Sequence, residues 1–296
     1  MGAAWEGILA IDAIARLYVW ANRAGMTNRD LASRAGPQVV VASSVERMRA
    51  IGRVHVWPGG SLWIGRGHGR GDWHSHHALQ IALPLDGTCR FRSRAAGTWE
   101  EYTGAIVHSH RHHQFEADGV TIAQIFVEPE TTEGRALRRR FTDDICALPD
   151  PQRAAMTRPL KDAYRHAVGA DAMVKAARAA TALLAGASGP GDPVDTRVTK
   201  AIDVMRARMR EDQPLADVAA AVALSPSRFR HLFVQETGTS FRAYLLWLRL
   251  HIAIQHVMAG DSWTDAAHEA GFADSSHLHR TFKRMFGLSP TSLVPQ

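Results

Sequence analysis

Cysteine is scarce in this sequence: among 296 residues there are two, Cys89 and Cys146. They form no CxxC pair, and without a secretory signal they support neither a disulfide framework nor a cysteine zinc site, so both read as ordinary reduced thiols. Long apolar runs are missing too. The nearest candidate, residues 5–24 (WEGILAIDAIARLYVWANRA), is broken by Glu6, Asp12, Arg16 and Arg23, and no basic leader or small-residue cleavage site accompanies it. It reads as an amphipathic helix in a cytoplasmic protein with no membrane partner. Charge of one sign is modest where it would matter most. The chain carries +6 overall, but residues 195–296 hold 12 Lys/Arg against 10 Asp/Glu, a surplus of +2. Bulk charge therefore does not establish nucleic-acid binding, and such a function has to show in local pattern.

What is present is enough apolar material, 46% of residues, for one large core or two smaller ones. Residues 51–128 contain short runs (GRVHVW, SLWIG, ALQIALPL, TCRFRS, GAIVH, VTIAQIFVE) bounded by Gly, Pro and Asp, which suggests a small β-barrel or sandwich. Residues 136–185 place apolar side chains at three- and four-residue steps in GRALRRRFTDDICAL, PLKDAYRHAV and DAMVKAARAATALLAG, and read as helices. AGASGPGDPVDT, residues 185–196, is a linker by composition. The expected organisation is an N-terminal helix and extension (1–40), a sensor-like β-domain (41–130), a helical coupling or dimerisation segment (131–185), a linker (186–196) and an all-helical domain (197–296). The fold class is α+β.

The C-terminal region repeats itself. Phe229, Phe233 and Gly238 match Leu278, Phe282 and Gly287 at a shift of 49, whereas Asp217, Ala219 and Leu224 match Asp265, Ala267 and Phe272 at a shift of 48, so the second turn holds one extra residue. Each copy predicts a short helix (215–222; 263–270), a tight turn, and a second helix that buries Phe229, Leu232 and Phe233, or Leu278, Thr281 and Phe282. Ala219 and Ala267 allow close helix approach and Gly271 suits the second turn. Ser225 followed by Pro226 opens one recognition helix, and Asp274 or Ser275 opens the other. Their outward faces carry Ser227, Arg230 and His231, and Ser275, Ser276, His279 and Arg280. Arg reads guanine edges, Ser reaches bases or phosphates, and Lys283 and Arg284 are better placed for the backbone. A helix over 240–260, about 30 Å long, would set the units near the roughly 34 Å separation of successive major grooves. The alternative is an interaction domain on which these residues form a solvated face.

LADVAAAVALSPSRFRHLFVQETGTSFRAYL together with GFADSSHLHRTFKRMFGLSP resembles the DNA-binding domain of AraC/XylS-type transcription regulators, over about residues 195–292. The resemblance implies base contacts from the positions named above. His268-Glu269 departs from the Ala220-Ala221 of the first unit at outward positions, and His277 is a further candidate contact.

The second informative stretch is GDWHSHHALQIALPLDG, residues 71–87. On a strand His74, His76 and Gln80 share one face, and His113 from GAIVHSHRHHQF is a third imidazole. Two or three neutral imidazoles plus an oxygen suit zinc, nickel, iron or manganese. The spacing resembles a cupin motif, with Gln80 at the glutamate position, Gly87 at the glycine, and Gly104 and His113 as a looser second motif. That resemblance implies a small β-barrel with an interior pocket, and Gln in place of a carboxylate removes charge that would favour a divalent ion. His108, His110 and His112 read as a solvated loop. Trp57, Trp63, Trp73 and Trp99 are pocket or core residues.

The resulting expectation is a sequence-specific regulator of transcription, not an enzyme, whose cupin-like domain senses a small effector. Its expected partners are double-stranded DNA, the effector, RNA polymerase and a second copy of the chain. The alternatives are a metal-responsive regulator using His74, His76 and His113, and a cupin-type metalloenzyme tethered to DNA.

Overall fold

The computed structural model describes residues 47–94, 97–166, 168–186 and 194–295. The helix expected at 5–24, the extension 1–40 and most of the linker lie outside the described residues.

β1 (Arg49–Trp57), β2 (Gly60–Arg70), β3 (Leu79–Pro84), β4 (Cys89–Ser93), β5 (Glu100–Tyr102), β6 (Ala105–Val107), β7 (His113–Val127), β8 (Ile145–Ala147) and β9 (Leu293–Pro295) form one nine-stranded sheet. Its order is β8-β6-β3-β7-β2-β1-β9, with β4 joined to β5 and to the first part of β7. Every pairing is antiparallel except β1 with β9. The period of two decides what each face meets. Leu79, Ile81 and Leu83 of β3 join one core, while Ala82 joins Cys89, Phe91, Val107 and Phe115 in another, and Gln80 shares the latter face by parity.

On β7 the inward residues are odd-numbered early (His113, Phe115, Ala117) and even-numbered late (Ile122, Gln124, Phe126). A bulge reconciles them: the β2–β7 register shifts at Gly67/His68 and leaves Gly119, with φ of 70°, as the extra residue. Glycine takes this left-handed turn without steric cost, and the bulge is what lets His113 and Gln124 serve one face.

The helices α1 (Thr132–Arg140), α2 (Asp150–Arg165) and α3 (Ala170–Ala185) cover the opposite face through Leu137, Met156, Leu160, Met173, Ala177 and Leu184. Thr131 caps α1 by accepting from the Gly134 N–H. The helix expected across 134–148 stops at Arg140, and Ile145–Ala147 becomes β8 on the edge of β6. Phe141 is already extended at the end of α1, and the polar Thr142-Asp143-Asp144 that follows favours a turn over helix continuation.

The C-terminal helices are α4 (Thr196–Ala207), α5 (Leu215–Ala221), α6 (Pro226–Thr237), α7 (Phe241–Met258), α8 (Trp263–Glu269) and α9 (Ser275–Phe286). Ser225, Ser240, Ser262 and Asp274 each accept a backbone N–H at a helix start, and Gly238 and Gly287 close α6 and α9 in the left-handed conformation. The described residues form one packed unit. The first helical pair keeps its own core around Phe229, Phe233, Tyr244 and Leu248. The second shares one with the sheet: Phe282 and Phe286 of α9 and Trp247, Leu250 and Ile254 of α7 pack with Ala78, Trp63 and Phe126. The chain end then returns as β9 along β1, pairing Ala50 with Leu293. Among the described residues no helix is long and apolar enough to cross a membrane.

Candidate functional site: a histidine cluster beside two helix-turn-helix units

The loop 71–78 between β2 and β3 brings His74 and His76 to the start of β7. His74 and His113 exchange backbone hydrogen bonds, N–H to O at 3.1 and 3.0 Å. Each ring is then fixed by a main-chain carbonyl. The Nδ1 atoms of His74, His76 and His113 donate to Asp72 O at 2.9 Å, Ala78 O at 2.8 Å and Arg111 O at 2.9 Å. A carbonyl only accepts, so each proton sits on Nδ1 and each Nε2 carries a lone pair.

Those lone pairs converge. The candidate ligand atoms of the three buried histidines lie within 4.8 Å of one another. Gln80 Oε1 lies 3.0 Å from His76 Nε2 and 3.2 Å from His113 Nε2, and the Gln80 amide donates to Gln124 Oε1 at 2.6 Å. The neutral state of the rings follows from their surroundings: burial, and then the neighbouring His76, lowers His74 to about 3, and burial also lowers His76 and His113. Three neutral imidazoles and an amide oxygen are a donor set that fits a borderline divalent ion such as zinc or nickel. The structure thus brings His74, His76, Gln80 and His113 together.

A cavity of about 80 Å³ opens beside them, lined by Trp63, Ile122, Phe126, Phe286, His74 and Gln124 among others. Of the four tryptophans considered, Trp63 lines it and Trp57 packs on the helix-covered core. Trp73 and Trp99 instead take Arg92 over their rings at 5.0 and 5.1 Å. His110 is not only part of a solvated loop, since its ring meets His77 at 5.3 Å.

The same loop reaches the connecting helix α7 and the second helical pair. His77 Nε2 lies 2.9 Å from Glu130, whose other oxygen accepts from Tyr244 OH of α7 at 2.6 Å. Glu128 accepts from Trp247 Nε1 of α7 at 3.2 Å and from Arg206 of α4 at 3.3 Å. Burial, and after it the Glu130 charge, raises Glu128 to about 7. Burial would raise Glu130 as well, but His77 and Tyr244 hold it below the usual carboxylate range. On the other side Asp72 N–H donates to Gly287 O, the end of α9, at 2.7 Å, and Asp72 pairs with Lys283 at 3.0 Å. This network was not legible in the sequence. The acids of VEPE (127–130) and the aromatics of α7 look like strand end and helix core until the two regions dock.

Of the expected DNA-reading residues, Ser227, Arg230 and His231 are exposed on α6, and Ser276 and Arg280 on α9. Ser275 is half-buried in the first turn of α9, and His279 is half-buried with its ring edge-on to Trp263 at 6.0 Å. His277 likewise packs edge-on to Phe272 at 5.2 Å. Lys283, expected at the DNA backbone, is paired with Asp72, while Arg284 is exposed.

Comparison with known proteins places this duplicated unit. Residues 218–294 match the helix-turn-helix domain family. The chain is 31% identical over 109 residues to the uncharacterized HTH-type transcriptional regulator YidL of Escherichia coli, covering 36% of this chain and 37% of that protein. It is 32% identical over 107 residues to the HTH-type transcriptional activator RhaS of Yersinia pestis, covering 36% and 39%. The matched region thus spans little more than a third of these relatives. Among solved structures, ToxT of Vibrio cholerae aligns over 82% of this chain and 94% of its own, at 11% identity and a TM-score of 0.49. The C-terminal region of the chain is thus similar to the helix-turn-helix domains of HTH-type transcriptional regulators.

Proposed function

We propose that the protein is a sequence-specific DNA-binding regulator of transcription whose sheet region senses a small effector. The observation that carries the reading is the duplicated helix-turn-helix pair, both of whose recognition helices are capped, with Ser227, Arg230 and His231 exposed on one and Ser276 and Arg280 on the other. Arginine at such positions reads guanine, and two units on one chain contact two adjacent major grooves. The relatives named above are regulators, which supports the same reading. Selection of binding sites from a random duplex library tests it: a bipartite preferred sequence is expected, and retention of the same preference in Arg230→Ala plus Arg280→Ala contradicts it.

The effector side rests on the loop 72–77. A ligand that moves His74 or His76 acts on Asp72 and hence the end of α9, and on His77 and hence Tyr244 of α7. Occupancy changes DNA affinity only through different affinity for two arrangements of these contacts, and couplings of this kind are typically about 1–3 kcal/mol. RNA polymerase and a second copy of the chain are proposed protein partners.

A metal-responsive form of the same reading is favoured by one observation, the acceptor-to-acceptor approach of Gln80 Oε1 to two Nε2 lone pairs. A cation among them resolves that repulsion. A flipped Gln80 amide donating to the rings also resolves it, without a metal. In that reading His74, His76, His113 and Gln80 hold the ion, and the ion supplies a fixed charge that sets the loop. Elemental analysis of untagged protein purified without chelators separates the two. About one ion per chain, lost in His74→Ala/His76→Ala, supports metal sensing, and metal-free protein supports an organic-effector pocket.

A further inference from the structure

A groove of about 510 Å³ lies between the two recognition helices and is absorbed neither by base reading nor by effector sensing. Its floor is α7, through Leu245 and Leu246, and its walls include Arg230 of α6 and His277 of α9. Arg242 and Arg249 of α7 line it as well, and Asp212 is its single lining carboxylate. Seven residues separate the two arginines, two helical turns, so they share one face and stand about 10 Å apart along the axis. Arg242 is exposed. Arg249 is half-buried under the turn of the second unit, where a side chain on Gly271 would approach its Nε to 3.2 Å, and that Nε is buried with no hydrogen-bond partner. Burial of the Nε fixes the guanidinium, which lines the groove and offers it a fixed positive charge for an anion.

We propose that this groove seats the DNA backbone between the two reading heads, with Arg242 and Arg249 each holding a phosphate. The inference rests on the DNA-binding reading and adds to it what happens between the major grooves. When two recognition helices enter successive major grooves on one side of the duplex, the intervening minor groove faces the connecting helix, and phosphates line both of its lips. The two cations of α7 therefore fix register and spacing while carrying no base preference of their own.

The test uses the full chain, a duplex selected from a random library by the wild-type protein, and a shuffled duplex of equal composition, titrated between 50 and 200 mM salt. In Arg242→Ala and in Arg249→Met, which keeps the apolar stem, affinity for both duplexes is expected to fall by the same factor. The affinity lost across that salt range should shrink roughly three- to fourfold per arginine, a change of about 0.9 in log–log slope. Base preference is expected to be unchanged, and Arg249→Lys is expected to restore the slope. Arg230→Ala is expected to do the reverse, changing base preference. An unaltered slope in Arg242→Ala, which is exposed and leaves folding intact, overturns the seat, as does a loss confined to the selected duplex. A wild-type chain that binds neither duplex overturns the DNA-binding reading itself and the seat with it.

Discussion

The two helix-turn-helix units share a sequence pattern and differ in what holds them. The first closes its own core with Phe229 and Phe233 and presents an open recognition face. The second lends Phe282 and Phe286 to a core that includes Trp63 and Phe126 of the sheet, ties Lys283 to Asp72, and sends the chain end back as a strand on β1. Duplication thus supplies two like units, and docking makes one of them part of the sheet region's core. The histidine loop contacts the second unit directly and is linked to α7, which packs on the first, through Glu130 and Tyr244.

The largest effect should come from the shared core. Phe286→Ala removes an aromatic packed on Trp63 at 4.6 Å and is expected to cost about 3–5 kcal/mol. Hydrogen exchange should then show faster opening in β2, β7 and α9 together. Phe233→Ala is expected to cost a similar amount but to loosen α5 and α6 while β2 stays protected. Equal loosening everywhere in both variants would erase the distinction.

Acidification should single out the histidine loop. His74 is held down at about 3, so its contribution is fully present above the ordinary imidazole range and is lost as pH falls below it, roughly 2 kcal/mol by pH 5. Glu128, raised to about 7, works in the opposite sense: its contribution is present at low pH and is lost as pH rises toward 7. In Glu128→Gln that compensation disappears, and urea midpoints measured with a chelator from pH 7.5 to 5 should fall more steeply than in wild type. A parallel course for the two proteins contradicts the assignment.

The smallest effects compare the two turns. Gly271 has φ of 72°, and a Cβ there would meet Met209 O at 2.4 Å, so Gly271→Ala should cost about 1–3 kcal/mol. Its counterpart in the first unit is Ala223, which holds φ of 56° despite its Cβ. Ala223→Gly should therefore stabilise the first unit by about 0.5–1 kcal/mol in thermal melts, with DNA preference unchanged.

Much of this was legible in the sequence because it is local. Caps at Ser225 and Asp274, the glycine at 271, and the inward pattern of Phe229, Phe233, Leu278 and Phe282 are all set within a few residues. The parity of His74, His76 and Gln80 was legible for the same reason. The addition of His113 was less secure, since its face depends on the extra residue at Gly119. Docking was not legible at all: nothing local marks Asp72 as the partner of Gly287, Glu130 as the partner of Tyr244, or Ile145–Ala147 as a strand, because each needs an edge or surface supplied from far along the chain.

The central claim is that one chain reads two adjacent grooves through two separate heads. The most direct test is the base preference of Arg230→Ala and Arg280→Ala, measured separately on a library randomised across the wild-type site. Each variant is predicted to relax a different cluster of positions, with the clusters about ten base pairs apart. Relaxation of the same positions by both variants, or of none by either, would contradict it.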